Sequence, residues 1–347
     1  MMNLKYLAYR SAFELLWATQ TPRLVRALSK SRGVIFTLHR VLPDGPADFS
    51  PNAILQVTPQ YLEHVIIRVR EMGLDIVSLD EAIERIKAPA ASSGKFVVFT
   101  FDDAYRDNLV HALPVLRRRK CPFTLYVPTA LVDGVGQVWW QALEDVIATQ
   151  DAVATANQDG EISYYDTNTL AQKHAVYNAL YWRMRKMPED DRVTFIREFA
   201  AGYGLDMDAH CRELIMDWAE LKEFVDEPLC TIGAHTVHHF ELAKLDRERA
   251  RQEIAQGIEV INAQYGFAPK HLSYPIGGKA SAGPREYEIA KELELTSAVT
   301  TLPGGIYHRH RDALTSLPRI SLNGNFQQHR FVEILATGAI FSAAFRR

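Results

Sequence analysis

The feature that most constrains this chain is a recurrence of short, apolar, β-branched runs separated by helical patterns. Candidate strands lie at Val34–Leu38, Ile76–Leu79, Phe96–Phe101, Phe123–Val127, Leu229–Gly233, His271–Tyr274, Ser297–Thr300 and Arg319–Leu322. The run from Lys95 to Thr100 is almost continuously apolar, which suits a strand buried on both faces rather than one with a wet side. Helix starts are legible between the runs. Thr58-Pro59 reads as an N-cap followed by proline at the first helical position. Ser78 with Glu81, and Asp217 with Glu220, read as capping boxes. Asp246 caps a helix running to about Gln264, ended by Gly266. Strand–helix alternation implies a mainly parallel sheet, and about eight such strands close into a barrel, so the expected class is an α/β, (β/α) barrel.

One stretch breaks the rhythm. From about Leu131 to Phe224 the pattern is mostly helical, with polar interruptions such as Asn157-Gln-Asp-Gly160, and reads as a helical insertion opened by Trp139-Trp140. The expected organisation is an N-terminal amphipathic segment over 1–30 and a barrel over 31–347 that contains the insertion at about 131–224. With 47% apolar residues and a formal charge of −3, the chain has material for a core and no concentrated basic surface for nucleic acid. Arg117-Arg-Arg-Lys120 ends a predicted helix, where cations complement the helix dipole. Three scattered cysteines, Cys121, Cys211 and Cys230, contain no CxxC pair and suit a reducing compartment. No apolar run approaches the roughly 20 residues that span a bilayer, and Arg10, Glu14, Arg23 and Arg26 interrupt the N-terminal stretch, so a cytoplasmic protein is expected. The apolar residues of both ends, Leu4 to Trp17 and Phe331 to Phe345, are read as helices packed on the barrel. Peripheral contact with a membrane surface is the alternative. Oligomeric state is not legible.

The polar residues that follow the strands carry the chemistry. Asp102-Asp103 follows Phe96–Phe101, His235 and His239 follow Leu229–Gly233, and His39 follows Val34–Leu38. In a parallel barrel these positions gather at the C-terminal rim, where barrel enzymes keep their reacting groups. Two adjacent carboxylates at the end of a buried strand call for a neutralising partner, and a metal supplies it directly. Imidazoles at i and i+4 can face one point from a single turn, and one carboxylate completes a His-His-Asp set with open coordination positions. His238 reads as a surface or supporting residue.

Phe99-Thr-Phe-Asp-Asp103, Gly233-Ala-His-Thr-Val-His-His239 and Ser273-Tyr-Pro-Ile-Gly277 resemble the first three motifs of the polysaccharide deacetylases, the NodB-homology enzymes of carbohydrate esterase family four. The similarity spans about Val34 to Leu322. It implies a distorted (β/α) barrel, Asp102 as general base, and Asp103, His235 and His239 as ligands of zinc or a similar divalent ion. Tyr274 and Pro275 of the third of these motifs are candidate substrate-binding residues, and the aromatic pair Trp139-Trp140 that opens the insertion is a candidate sugar-stacking platform. A backbone N–H near Ala104 or Tyr105 would stabilise the oxyanion.

Four positions depart from the pattern. Ala104 replaces the usual glycine. Ser273 stands at about the place of an arginine that orients the base, and Arg319 is the candidate replacement. The C-terminal motif shows Asn323 where a catalytic histidine is usual. Phe36-Thr-Leu-His-Arg40 resembles a displaced version of that motif, as in circularly permuted deacetylases of poly-N-acetylglucosamine, which would make His39 the general acid.

The implied function is metal-dependent removal of N-acetyl groups from an N-acetylated carbohydrate: a chitooligosaccharide, a poly-N-acetylglucosamine-like polymer, or a lipid-linked sugar. The alternative is a metal-dependent amidase or acetyl esterase acting on a non-polymeric substrate. A catalytically weak sugar-binding protein is disfavoured by the intact Asp102, Asp103, His235 and His239.

Overall fold

The fold was analysed in a computed structural model that describes residues 4–19, 30–89, 94–156 and 161–338. Its strands are β1 (Gly33–Leu38), β2 (Arg40–Val41), β3 (Gln56–Val57), β4 (Asp75–Ile76), β5 (Phe96–Phe101), β6 (Phe123–Val127), β7 (Ala152–Ala156), β8 (Ile162–Asp166), β9 (Cys230–Ala234), β10 (His271–Ser273), β11 (Ser297–Pro303) and β12 (Leu317–Ser321). The helices used below are α1 (Leu4–Ala18), α2 (Pro59–Glu71), α3 (Leu79–Lys87), α4 (Leu113–Arg118), α5 (Trp139–Thr149), α6 (Leu170–Met184), α7 (Glu189–Gly202), α8 (Met207–Leu214), α9 (Trp218–Val225), α10 (Arg247–Tyr265), α11 (Pro284–Glu292) and α12 (Phe331–Ala336).

Seven parallel strands close a ring in the order β1, β12, β11, β10, β9, β6, β5 and back to β1. The closing seam is long: β1 pairs with β5 from Gly33↔Phe96 to Leu38↔Phe101. The ring is distorted elsewhere, because β9 and β10 meet only at Leu272↔Ala234 and β11 shifts register between Val299 and Pro303. The expected eighth strand does not join the ring. Ser78 accepts the Glu81 N–H and caps α3, so Leu79 opens a helix and β4 stops at Ile76, beside Phe96 and Val97 at the foot of β5. Glu81 does not complete the capping box; its carboxylate pairs with Arg85 at 2.6 Å. The other helix starts form as read, with Thr58, Asp217 and Asp246 each accepting a first-turn N–H and Gly266 ending α10 at φ 78°.

Strand alternation sorts the side chains. Phe96 and Val98 pack with Ile35, Tyr126, Val299 and Leu317 inside the ring, and Leu79, Ala82, Ile83 and Ile86 of α3 plug its lower end. Val97, Phe99 and Phe101 face the surrounding helices. The same alternation carries Thr100 and Asp102 inward at the upper end.

Between β6 and β9 lie α5 to α9, as the helical pattern indicates, together with an antiparallel hairpin, β7–β8, that the pattern does not indicate. Its strands flank Asn157–Gly160, which lies outside the described residues. The basic run ends α4, and its arginines are paired, Arg117 with Glu223 and Glu227, Arg118 and Arg119 with Glu63. At the termini, Phe13 of α1 is buried with its ring 5.2 Å from Phe326 and 5.4 Å from Phe331, and Glu14 pairs with Arg330. Leu15 and Trp17 are exposed. Residues 20–29 and 339–347, the rest of the two apolar ends, lie outside the described residues. No helix among the described residues is long and apolar enough to cross a membrane.

Gly257, in the middle of α10, lets the helix approach the loop after β9. A Cβ there would meet the carbonyl carbon and oxygen of Thr236 at 2.9 Å. Gly257→Ala gains about 1 kcal/mol of helix propensity but overpacks a backbone contact at a cost of about 1–3 kcal/mol. A lower urea midpoint than wild type is the expected result; a raised midpoint would show that the loop moves aside freely.

Candidate active site

Because the ring is parallel, the residues that follow β1, β5, β9 and β10 meet at one rim. There Asp102 and Asp103 leave β5, His235 leaves β9, and His39 leaves β1. Asp102 and Asp103 are almost fully buried.

The Asp102 carboxylate faces the interior and meets Arg319 of β12 in a two-pronged pair. Nη1 donates to Oδ1 at 2.8 Å and Nη2 to Oδ2 at 2.6 Å. The guanidinium also donates to Thr100 Oγ1 at 3.0 Å, Ser273 Oγ at 2.9 Å and the Thr300 carbonyl at 3.0 Å. Arg319 is therefore a buried residue at the rim and not a surface arginine, and Ser273 leaves room for it. Burial pushes the Asp102 carboxyl up; Arg319 outweighs this and holds it below the usual range.

Asp103 turns the other way. It and Ala104 are left-handed, at φ 75° and 56°, which explains why glycine is the usual residue after the paired aspartates. Thr236, His239 and Ile276 are left-handed as well, so backbone strain gathers around this rim. His235 and His239 converge from a non-helical loop, not from a helical turn as their spacing suggests. Both Nε2 atoms lie 3.3 Å from Asp103 Oδ1. His235 Nδ1 is 2.6 Å from the Ser273 carbonyl, so it carries a proton there, and Nε2 faces Asp103. Burial pushes the Asp103 carboxyl up, but His239 and His235 hold it well below the usual range; His239 itself is lowered, chiefly by burial.

These three residues could hold a metal. Their candidate ligand atoms lie within 4.8 Å of one another, and Asp103 Oδ1 is a buried oxygen without a hydrogen-bond partner among the described residues. Two imidazole nitrogens and one carboxylate oxygen fit a divalent ion with positions left for water and substrate. His238 stays outside the set: it is about half exposed and pairs with Glu253 at 2.6 Å.

His39 Nε2 is 4.0 Å from Asp102 Oδ2. Its carbonyl accepts from Asn108 Nδ2 at 2.8 Å, and the next residue, Arg40, pairs with Asp107 at 2.8 Å. Thr37 and Ser321 are register partners across β1 and β12, and His39 and Asn323 each follow that seam by two residues. Asn323 turns away to cap the following 3₁₀ turn through Asn325 N–H. His271 opens β10 at the opposite end of the ring and bonds Ser297 and Asp80.

A family model described as polysaccharide deacetylase matches residues 90–298, more than half of the chain. The chain belongs to the polysaccharide deacetylase family. It is thus a hydrolytic deacetylase, and its ring is the distorted barrel of the NodB type. Among solved structures, it is similar to the Streptococcus pyogenes deacetylase PplD in complex with acetate, at 17% identity and a TM-score of 0.55, over 84% of this chain and 93% of that one. It is similar to IcaB from Ammonifex degensii at 19% identity and a TM-score of 0.54, over 86% and 96%. It is also similar to the BpsB deacetylase domain from Bordetella bronchiseptica at 15% and 0.50, over 83% and 94%. No curated protein matches it in sequence.

The deacetylase rim opens into a cavity of about 360 Å³ that holds His39, Asp102, Asp103, His235 and His239. Trp139 and Trp140 line it while being almost fully buried, with Trp140 5.0 Å from His239 and its Nε1 donating to Tyr105 Oη at 2.9 Å. Tyr274 and Pro275 do not line it. Ser273 faces inward, so alternation sends Tyr274 outward, where its hydroxyl donates to the Thr315 carbonyl at 2.9 Å; Ile276 reaches the cavity instead. The sequence did not point to Tyr177, Asn178, Tyr181 and Trp182 of α6, which line the wall together with Pro51, Asn52, Ile54, Leu55 and Thr301. The i, i+1, i+4, i+5 spacing of the α6 residues is a helical stripe, a pattern that usually marks core.

Removing Arg319 leaves a buried carboxylate unpaired. Arg319→Met is expected to cost about 3–5 kcal/mol in denaturant unfolding, and adding Asp102→Asn should restore a large part of that loss. Strictly additive losses would show that the two residues act independently.

Proposed function

We propose that this deacetylase is a metal-dependent hydrolase that removes N-acetyl groups from an N-acetylated oligo- or polysaccharide of the chitooligosaccharide or poly-N-acetylglucosamine kind. The observation that carries the reading is the convergence of Asp103, His235 and His239 beside a separately paired Asp102 on the cavity floor. The three residues would hold a divalent ion, with zinc proposed from the nitrogen-rich ligand set. Such an ion, when bound, supplies polarisation of the acetyl carbonyl and acidifies water.

The chain's own groups divide the remaining work. Asp102, kept ionised by Arg319, accepts a proton from the attacking water. Arg319 orients that carboxylate through both of its oxygens. The backbone at Ala104 and Tyr105, next to the left-handed turn, is the candidate donor to the developing oxyanion. His39, 4.0 Å from Asp102, delivers the proton that the departing sugar amine needs, and acetate leaves as the second product.

The direct test is acetate release from N-acetylglucosamine oligomers and from sugar acetate esters, with and without chelator. Release from the oligomers that stops with chelator and returns with zinc is the expected result; release indifferent to chelator would refute metal dependence. Elemental analysis of His235→Ala and His239→Ala should show much reduced metal, whereas full occupancy in both would remove them as ligands. Asp102→Asn should retain the metal and lose roughly 100-fold or more in rate.

His39 is tested through the leaving group. An amide nitrogen must be protonated to depart, whereas an activated aryl oxide leaves without help. His39→Ala should therefore lose most amide hydrolysis, keep much of any aryl acetate hydrolysis, and bind metal normally. Equal losses on both substrates would make His39 a structural residue.

A further inference from the structure

His239 differs from His235 in what holds its ring. His235 Nδ1 bonds the Ser273 carbonyl, whereas His239 Nδ1 is buried and has no hydrogen-bond partner among the described residues. A histidine that binds a metal is usually aimed by a hydrogen bond to its other nitrogen. Without that bond, the direction of the His239 ring is set by its backbone and by packing on Trp140 and His235, at 5.0 and 4.9 Å. That backbone is left-handed, at φ 58°, a conformation that needs support from its surroundings.

On the N-terminal side the support is Glu253 of α10, which accepts the Val237 and His238 N–H groups. On the C-terminal side it is Glu241, two residues after His239 and buried. Arg185 of α6 grips both oxygens of Glu241, Nε on Oε1 and Nη2 on Oε2, at 2.8 Å each. Ser281 Oγ donates to Oε2 at 2.6 Å, and Lys244 Nζ lies 2.9 Å from Oε1. Lys244 also pairs at 3.1 Å with Glu189 of α7, and Glu189 pairs with Arg192. Two carboxylates and three cations thus form one largely buried cluster, drawn from α6, α7 and the segment after His239. A two-pronged grip with further partners on each oxygen leaves the Glu241 carboxylate a single position.

The same cations press on the aromatic residues around the loop. The Arg192 guanidinium lies 5.2 Å from the Trp139 ring and 5.8 Å from the Phe240 ring, and Arg185 lies 5.8 Å from both Tyr181 and Trp182. Phe240 is the one residue between His239 and Glu241. The chain between the candidate ligand and its anchor is therefore clamped from the side of the inserted helices.

We infer that Glu241 and Arg185 are positioning residues for His239: their grip ties the loop of candidate metal ligands to the inserted helix α6 and so sets the direction of that imidazole. This rests on the reading of Asp103, His235 and His239 as a metal site.

The test uses cobalt(II), whose visible absorption reports the geometry of its ligands, in the full chain and in its Arg185→Met, Glu241→Gln and double variants. Affinity is read by titration, the spectrum at saturating cobalt, and the stability of the metal-free chains by urea unfolding. Each single variant should bind cobalt roughly tenfold more weakly, the scale of losing a ligand's outer support, and keep an altered spectrum at saturation. The double variant removes both charges of the pair, so it should regain part of the lost stability while its weak binding and altered spectrum persist. Affinity and spectrum equal to wild type in the single variants overturn the inference. Their return to wild type along with stability in the double variant also overturns it, because the grip would then be structural alone. Where Arg185→Met does not fold, Arg185→Lys, which keeps the charge and loses the fork, takes its place under the same outcomes. A wild-type chain that binds no cobalt sinks the metal reading and the inference with it; variants that match a cobalt-binding wild type sink the inference alone.

Discussion

A buried guanidinium meeting a buried carboxylate organises the top of this barrel. Arg319 reaches inward from β12 and donates to groups that belong to or directly follow β5, β10 and β11: Thr100 and Asp102, Ser273, and Thr300. Neither charge is tolerable in that interior without the other. The pairing fixes the height and direction of Asp102, and it leaves Asp103 to turn away toward the histidines. Two neighbouring carboxylates thereby acquire different partners and different work. The cation that the family pattern places in the third motif comes here from the last barrel strand, with Ser273 in contact with it.

Much of this arrangement is legible in the chain. The apolar runs mark the strands because a strand covered on both faces cannot alternate, and the polar residues that end them mark the rim. Short polar caps locate the helix starts, at Asp217 and Asp246 most clearly. The errors have physical causes. Ser78 competes for the end of a strand and wins it for a helix, which shortens β4 and leaves seven strands in the ring. The hairpin β7–β8 is small; β7 is alanine-rich, and β8, though it carries Ile162, Tyr164 and Tyr165, is too short to stand out in a stretch of helical pattern. Tyr274 sits in a recognisable motif, but strand alternation turns its side chain away from the cavity. Trp182 escaped notice because aromatic residues at helical spacing ordinarily mean core.

The loop from His235 to His239 is held in shape from outside. Imidazoles four apart suggest a helical turn, yet they converge here from irregular backbone with Thr236 and His239 left-handed. Such a conformation persists only if its surroundings enforce it. Gly257 presses α10 against the Thr236 carbonyl, and Glu253 of the same helix accepts the Val237 and His238 N–H groups at 3.2 and 2.9 Å. The loop geometry is written in a distant helix, where no local pattern announces it.

The position of β1 bears on how the molecule comes to exist. The first strand of the ring lies between β5 and β12, and its seam with β12 joins Thr37 to Ser321. A ribosome emits Thr37 long before its partner. Until then β1 can pair with β5, but its other edge stays open, and contacts this remote in sequence form slowly. His39 and Asp102 can approach one another early, whereas Arg319 arrives only with the last strand. Until β12 emerges Asp102 lacks its counter-charge, so stable closure of the rim coincides with the arrival of that strand.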